Sequence, residues 1–239
     1  MLDLPTQERR QIQSHDPSAA RGRGALPIPA LALAVRVLPV TVAPTLILAS
    51  GSPARLRLLR DAGLEPEVVV SGVDETGHHG LTTAELVAVL AQRKAEAVAS
   101  LRPDALVLGC DSMLDLDGDS LGKPPTAQDA AAVWHRLAGR AGTLLTGHWL
   151  IDGAAGRQAS GVAATTIRFG SPSETEIAAY VATGEPLSLA GSFSIDGRAA
   201  PFVDGIDGDA SNVIGLSLPL LRRLLAELGI AITDLWRRS

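Results

Sequence analysis

Residues 48–64, LASGSPARLRLLRDAGL, read as the end of a strand, a tight loop and a helix. Leu46, Ile47 and Leu48 form a short apolar run of strand type, and Ser50, Gly51 and Ser52 interrupt it. Ser52 is a good N-cap, Pro53 suits the first helical position, and Gly63 suits the residue just past the helix end. Such an N-terminus offers unpaired backbone N–H groups and the positive end of the helix dipole, both of which favour an anion. At about 100° per residue, Leu56, Leu58, Leu59 and Ala62 share one face, with Arg57, Arg60 and Asp61 opposite. Arg55 falls inside the apolar face, close to the N-terminus. Its guanidinium must meet either an anionic ligand or an internal carboxylate, and this stretch alone leaves both readings open.

The chain has 239 residues, enough to bury a sizeable core in one domain or two lobes. Its net charge is −5 and no basic run exceeds two residues, which argues against a nucleic-acid surface. The one cysteine, Cys110, rules out an internal disulfide framework and fits a reducing cytoplasm, the expected location. Its apolar neighbours mark it as a small core residue, not a nucleophile.

Residues 1–44 read as an N-terminal extension to a domain spanning 45–239. Residues 3–24 are rich in Arg, Gln, Ser and Asp, a composition that predicts disorder. Residues 25–43 are apolar but carry Pro27, Pro29, Arg36 and Pro39, which argues against a membrane-spanning helix. Acidic residues ahead of the apolar part argue against a secretory signal.

Beyond the first helix, strands are expected at 67–71 and 105–110, and a hairpin at 113–122 with Asp117-Gly118 in its turn. Two long strands are expected at about 142–152 and 158–169. Helices are expected from Thr82 or Thr83 to Ser100, from Thr126 to Gly139, from Ser173 to Gly184, and over 219–228. Strands and helices interleave, so the fold class is α/β with a mixed sheet.

Lysine usage is informative. The 21 basic residues include only two lysines, Lys94 and Lys123. Where arginine supplies nearly all positive charge, a retained lysine suggests a place for a compact ammonium. Lys94 lies by helical phase beside Leu86, Val87, Leu90, Ala97 and Val98. Lys123 sits in a rigid loop before Pro124-Pro125. The plainer alternatives are a snorkelling helix-edge lysine and an ordinary loop lysine. Asp111 is expected at the carboxyl end of an apolar strand, where α/β sheets collect ligands, and otherwise as a cap of the following turn. Asp74-Glu75 forms an acidic loop after another strand. His78-His79 read as surface residues, because no third ligand has metal-site spacing. Asp115, Asp117 and Asp119 read as a hairpin tip, since a calcium loop's terminal Glu is missing. Gly208 to Leu216, GDASNVIGL, reads as a tight loop before the last helix.

These segments together resemble the Maf family of nucleoside triphosphate pyrophosphatases over about residues 45–228. Ser50-Gly51-Ser52-Pro53-Ala54-Arg55 resembles the opening S-x-S-P-R-R signature. Glu75 matches the acidic residue of a D-E element, and Leu90 to Ala95 match L-A-x-x-K-A. Asp111 matches the proton acceptor, Gly122-Lys123-Pro124 match G-K-P, and Gly208 to Leu216 match G-D-x-x-N-V-x-G-L. The resemblance implies an elongated two-lobed architecture like that of inosine triphosphatases, with a central cleft, and commonly a homodimer. It implies hydrolysis of a nucleoside triphosphate to monophosphate and pyrophosphate. Asp111 would be the catalytic base, and Ser50, Ser52, Arg55, Lys94 and Lys123 would bind phosphates. Glu75 and Asp111 would hold a divalent cation, Mg²⁺ or Mn²⁺. No nucleic acid or membrane is implied as partner.

The departures bear on substrate choice. Ala54, Ser112 and Asp196 stand where the dTTP/UTP-acting branch carries Arg, Thr and Gln, and Leu189 stands where a Lys is expected. A modified or non-canonical nucleotide substrate is therefore open. The rival reading is a non-catalytic nucleotide-binding regulator of cell division. Retention of both carboxylates argues against it.

Overall fold

The helix caps legible in the sequence are the ones the chain uses. In the computed structural model, which describes residues 44–77 and 80–236, the Ser52 hydroxyl accepts the Arg55 N–H at 3.4 Å and opens α1 (Pro53–Asp61). The expectations for residues 1–43 and for His78 and His79 lie outside the described residues. A reciprocal Thr82–Glu85 capping box opens α2 (Thr83–Ala99), Thr126 caps α3 (Ala127–Leu137), and a second box, Ser173–Glu176, opens α4 (Glu174–Ala182). The short α5 (Ala210–Ile214) and α6 (Leu218–Glu227) follow.

Among the described residues, seven strands form one mixed sheet: β1 (Leu46–Leu48), β2 (Glu67–Val68), β3 (Leu106–Leu116), β4 (Asp119–Leu121), β5 (Ala141–Asp152), β6 (Arg157–Phe169) and β7 (Val203–Asp207). Their order is β2-β1-β3-β5-β6-β7, with β4 paired to β3. β1 runs parallel to β2 and β3, and every other pairing is antiparallel.

Three expectations change. The strand expected over 67–71 shortens to the two residues of β2, an exposed edge. The strand expected to stop near residue 110 continues to Leu116, so Asp111 lies in mid-strand instead of at a strand end. β5 pairs with β3 residue by residue from Leu106 to Asp115 and carries it through the polar Asp111 and Ser112. The true end is the turn at Asp117 (φ 57°) and Gly118 (φ 89°), the left-handed pair that a two-residue hairpin turn requires. Asp117 and Asp119 pair with Arg140 and Arg136, in keeping with a hairpin tip. Finally, the stretch read as irregular and then as a tight loop holds β7 and α5.

The alternation along β3 sets the layers. Leu106, Leu108 and Cys110 join Leu48, Leu59, Leu221 and Leu225 in one apolar core. Burial pushes the Cys110 thiol up to about 12, as befits an inert core residue. Val107 faces the other way, towards Ala95 and Val98 of α2. The second half of β3 supplies Leu114 and Leu116 to another core, built around Trp134, Phe169, Tyr180 and Phe193. One long strand thus contributes to three apolar clusters, two of them on its first half and one on its second.

Helix α2 lies very close to the sheet because two positions lack a side chain. A Cβ on Gly109 would stand 2.2 Å from the Ala91 carbonyl oxygen, and one on Gly147 would stand 2.1 Å from that of Val87. Gly147 is the β5 partner of Asp111, so this close approach sets the helix directly above that carboxylate. Gly147→Ala should push α2 outward and destabilise the fold by about 1–3 kcal/mol, measured by urea unfolding.

His148 fixes the start of α6. Its Nε2 accepts the Ser217 N–H at 2.9 Å, so its Nδ1 carries the hydrogen and donates to the Thr146 carbonyl at 3.0 Å. Burial lowers its pKa from 6.5 to about 4, holding it neutral in the folded state. This group's contribution is therefore complete above pH 6.5 and is lost as pH falls towards 4. The loss should reach about 3 kcal/mol, at roughly 1.4 kcal/mol per unit. Urea titrations from pH 7 to pH 4 should show that slope in the wild type and a flatter one in His148→Gln.

Candidate active site

The site is a gap in the sheet. β1 ends against Leu108, and β4 begins its pairing at Leu114. Between them, no strand among the described residues covers that edge of β3. The side chains there alternate, so Asp111 faces α2 while Ser112 faces α1.

On the α2 side, Lys94 is buried. Its ammonium lies 2.6 Å from Asp111 Oδ1 and 2.6 Å from Glu75 Oε1. The side chain is buried, and its head is held between two carboxylates and does not snorkel to water. Glu75 is half exposed, and Asp111 is almost fully buried. Burial pushes the Asp111 carboxyl above its ordinary range, although Lys94 and Arg55 oppose the shift. Asp111 Oδ2 is buried and has no hydrogen-bond partner among the described residues.

On the α1 side, Arg55 is buried. Its Nε donates to the Gly215 carbonyl at 2.8 Å. One terminal nitrogen donates to Ser50 Oγ at 3.0 Å and to the Cys110 carbonyl at 2.9 Å, and the other to Ser112 Oγ at 2.9 Å. All four acceptors are neutral, and among the described residues Arg55 forms no ion pair. The guanidinium is held in place by neutral oxygens, and its charge acts through space on the Asp111 carboxyl. Ser50 Oγ also accepts the Ser52 N–H at 3.2 Å, bracing the loop at the α1 N-terminus.

Of the remaining predicted residues, Ser112 spends its hydroxyl on Arg55 and on Thr146, 2.9 Å away. Lys123 is exposed in the loop after β4, where the Gly122 carbonyl accepts the Gly191 N–H at 3.0 Å. Ala54 is half-buried on α1, and Asp196 pairs with Arg57.

Sequence reading missed Thr146, and it marked the segment 208–216 without giving Asn212 or the Gly215 carbonyl a role. Thr146 is the β5 partner of Ser112, a relation set by strand register with no local signature. Asn212 is fully buried. Its amide donates to the Leu144 carbonyl at 3.2 Å and to Thr165 Oγ1 at 3.1 Å, which anchors α5 beneath Arg55.

A divalent cation fits this chemistry. The donors are hard carboxylate oxygens, and one of them, Asp111 Oδ2, is buried without a partner. Among the described residues no cluster of three or more His, Cys, Asp or Glu side chains suits a metal, so substrate and water would complete the coordination.

The fold and this gap define an α/β protein with a charged cleft at the centre of its sheet. The profile of the family described as Maf-like protein matches residues 45–228, and the chain belongs to that family. It is 63% identical over 194 residues to a Streptomyces coelicolor protein named nucleoside triphosphate pyrophosphatase, an alignment covering 80% of this chain and 94% of that protein. A Salinispora tropica protein of the same name is 54% identical over 199 residues, covering 81% of this chain and 88% of that one. A solved HAM1 protein from Coxiella burnetii aligns over 77% of this chain and 99% of its own, with TM-score 0.40 and 17% identity. No described helix is long and apolar enough to cross a membrane.

Arg55→Lys should leave most of the four acceptors without a donor. Binding of inorganic pyrophosphate, measured by calorimetry, should weaken by about tenfold, or about 1.4 kcal/mol.

Proposed function

We propose that Asp111 and Glu75 form the catalytic centre of a nucleoside triphosphate pyrophosphatase, a hydrolase acting on an acid anhydride. The observation that carries this reading is the Asp111 carboxylate, with Oδ1 held by Lys94 and Oδ2 buried without a partner. A carboxylate oxygen in that state can take a proton from water. Its raised pKa makes it a better base than an exposed carboxylate.

The chemistry follows from these residues. A water oxygen bonds to one of the two phosphorus atoms flanking the α,β-bridging oxygen. The phosphorus–oxygen bond at the bridge breaks, pyrophosphate or the monophosphate takes the bonding pair as the leaving group, and Asp111 accepts the proton from water. Ser50, Ser52, the α1 N-terminus and Arg55 bind phosphate oxygens from one face of β3, and Lys94 from the other. Lys123 adds charge from its exposed loop. A divalent cation, Mg²⁺ or Mn²⁺, bound by Glu75 and Asp111, would supply charge neutralisation and a bridge between phosphate and water.

The departures at Ala54, Ser112 and Asp196 point away from a strict dTTP or UTP enzyme. Ala54 offers no hydrogen bond, and the Ser112 hydroxyl is occupied by Arg55 and Thr146.

Asp111→Asn keeps the shape and removes the base. Turnover should fall by at least about 10²-fold, with pyrophosphate as the product of the wild type. A phosphatase-free assay scoring pyrophosphate and orthophosphate separately tests both points. Orthophosphate as sole primary product, or near wild-type turnover by Asp111→Asn, would refute the assignment.

A further inference from the structure

His148 takes no part in the chemistry above, yet it holds the turn that holds Arg55. It stands on β5 opposite Cys110 of β3, and the Cys110 carbonyl is one of the four acceptors of Arg55. Three positions along β5 take up the segment 212–217. The Leu144 carbonyl accepts the Asn212 amide, and the Thr146 hydroxyl lies 3.5 Å from the Asn212 carbonyl. The third is His148, whose Nε2 accepts the Ser217 N–H. The first two contacts fix the start of the segment, and the last fixes its end.

The bond at Ser217 differs from its neighbours. The N–H groups of Gly215, Leu216 and Leu218 all bond within the segment, to the carbonyls of Ser211 and Asn212 or to Ser211 Oγ. Among the described residues, the Ser217 N–H is the one donor of this turn that reaches the sheet. Two residues before it, the Gly215 carbonyl accepts the Arg55 Nε hydrogen at 2.8 Å. The Arg55 stem rests on the same residue, since a Cβ on Gly215 would stand 3.6 Å from Arg55 Cγ and from Nε. Gly215 takes φ 128°, which residues with a side chain rarely adopt. The direction of its carbonyl therefore depends on how the turn is held at Ser217. The imidazole suits that task. It is buried, and its Nδ1 hydrogen is committed to the Thr146 carbonyl, which turns the Nε2 lone pair towards Ser217.

We infer that His148 is a positioning residue: through the Ser217 N–H it fixes the turn whose Gly215 carbonyl orients Arg55 towards the substrate phosphates. The inference rests on the pyrophosphatase reading and adds to it a residue that touches no substrate. A planar guanidinium meets phosphate oxygens well only when its orientation is set beforehand. A turn free to shift at Ser217 would let Arg55 rotate away, weaken phosphate binding and raise the cost of charge developing in the reaction.

The test separates the two ring nitrogens. Glutamine places an oxygen near the position of Nε2, so His148→Gln keeps an acceptor for Ser217 and gives up the bond to Thr146. Asparagine places its amide near Nδ1, so His148→Asn keeps the bond to Thr146 and leaves Ser217 unpaired. Both variants of the full chain should remain folded at the assay temperature, checked by thermal unfolding. With Mg²⁺, His148→Asn should weaken pyrophosphate binding, measured by calorimetry, by about tenfold. It should cut kcat/KM for pyrophosphate release by at least about tenfold on whichever of GTP, UTP, dTTP, CTP and ATP the wild type turns over best. His148→Gln should stay within about threefold of the wild type in both. Arg55→Lys has no Nε hydrogen to give Gly215, so adding His148→Asn to it should weaken pyrophosphate binding by less than about threefold further. A reading that needs no variant is exchange of the Ser217 N–H in the wild type. By reciprocity, pyrophosphate should slow it by about tenfold. Equal losses in the two His148 variants would mark the ring as a structural tie and overturn the inference. So would unimpaired binding in His148→Asn, a full tenfold loss on top of Arg55→Lys, or exchange at Ser217 indifferent to pyrophosphate. Release of no pyrophosphate from any nucleotide by the wild type would instead overturn the pyrophosphatase reading itself, and this inference with it.

Discussion

A buried ammonium held between two carboxylates sets the terms for the rest of this structure. Taking Lys94 and Asp111 out of water costs several kcal/mol per ion, and their attraction offsets this only if the geometry is tight. The two 2.6 Å contacts at Lys94 meet that condition. They exist because α2 rides on the sheet at Gly109 and Gly147, where any side chain would hold it away. The close helix, the two bare positions and the ion cluster form one unit. Removing Lys94 would leave the buried Asp111 without its counter-charge, and breaking a buried pair in this way typically costs about 3–5 kcal/mol. Two carboxylates against one ammonium also leave the α2 side of the cleft formally negative, a reason for a cation to bind there.

The opposite face of β3 has the reverse sign. Arg55 brings one positive charge and only neutral oxygens answer it. Its position is fixed through a chain of hydroxyl groups. Arg55 donates to Ser112, whose hydroxyl lies 2.9 Å from the Thr146 hydroxyl and 3.4 Å from the Gly215 carbonyl, and the Thr146 hydroxyl lies 3.5 Å from the Asn212 carbonyl. Asn212 and the Gly215 carbonyl belong to α5 and its C-terminal turn, so the short helix before α6 acts on the cleft from beneath. A triphosphate crossing the open edge of β3 would meet a fixed cation on one face and a cluster of one ammonium and two carboxylates on the other. Neither group would have to reorganise when charge develops.

What the sequence made legible was local. Caps, strand alternation and turn residues obey short-range rules, and Ser52, Thr82, Thr126 and Ser173 are placed where those rules put them. Lys94 stood out because a charged residue on an apolar helix face needs a partner, and the partners were found at residues 75 and 111. The end of β3 was misplaced because a polar pair, Asp111-Ser112, resembles a strand terminus in sequence. Only β5, running alongside, shows that the backbone stays paired. Thr146, and the partners of Asn212 and Asp196, were not legible for a related reason. Each depends on strand register or on contacts between segments 66 or more residues apart.

The division between the two lysines and the many arginines follows from the shapes of the two cations. Arg55 must satisfy four acceptors spread over the β1–α1 loop, β3 and the C-terminal turn of α5, and a planar fork with five N–H groups can reach them from one position. Lys94 must bring a compact charge between two carboxylates, one buried and one half exposed, within hydrogen-bond reach of both. A guanidinium is too wide to enter that space beneath α2 without prying the helix from Gly109 and Gly147. An ammonium fits, and its third hydrogen remains for a phosphate oxygen. Lysine at residue 94 thus suits the close approach of α2 to the sheet at Gly109 and Gly147.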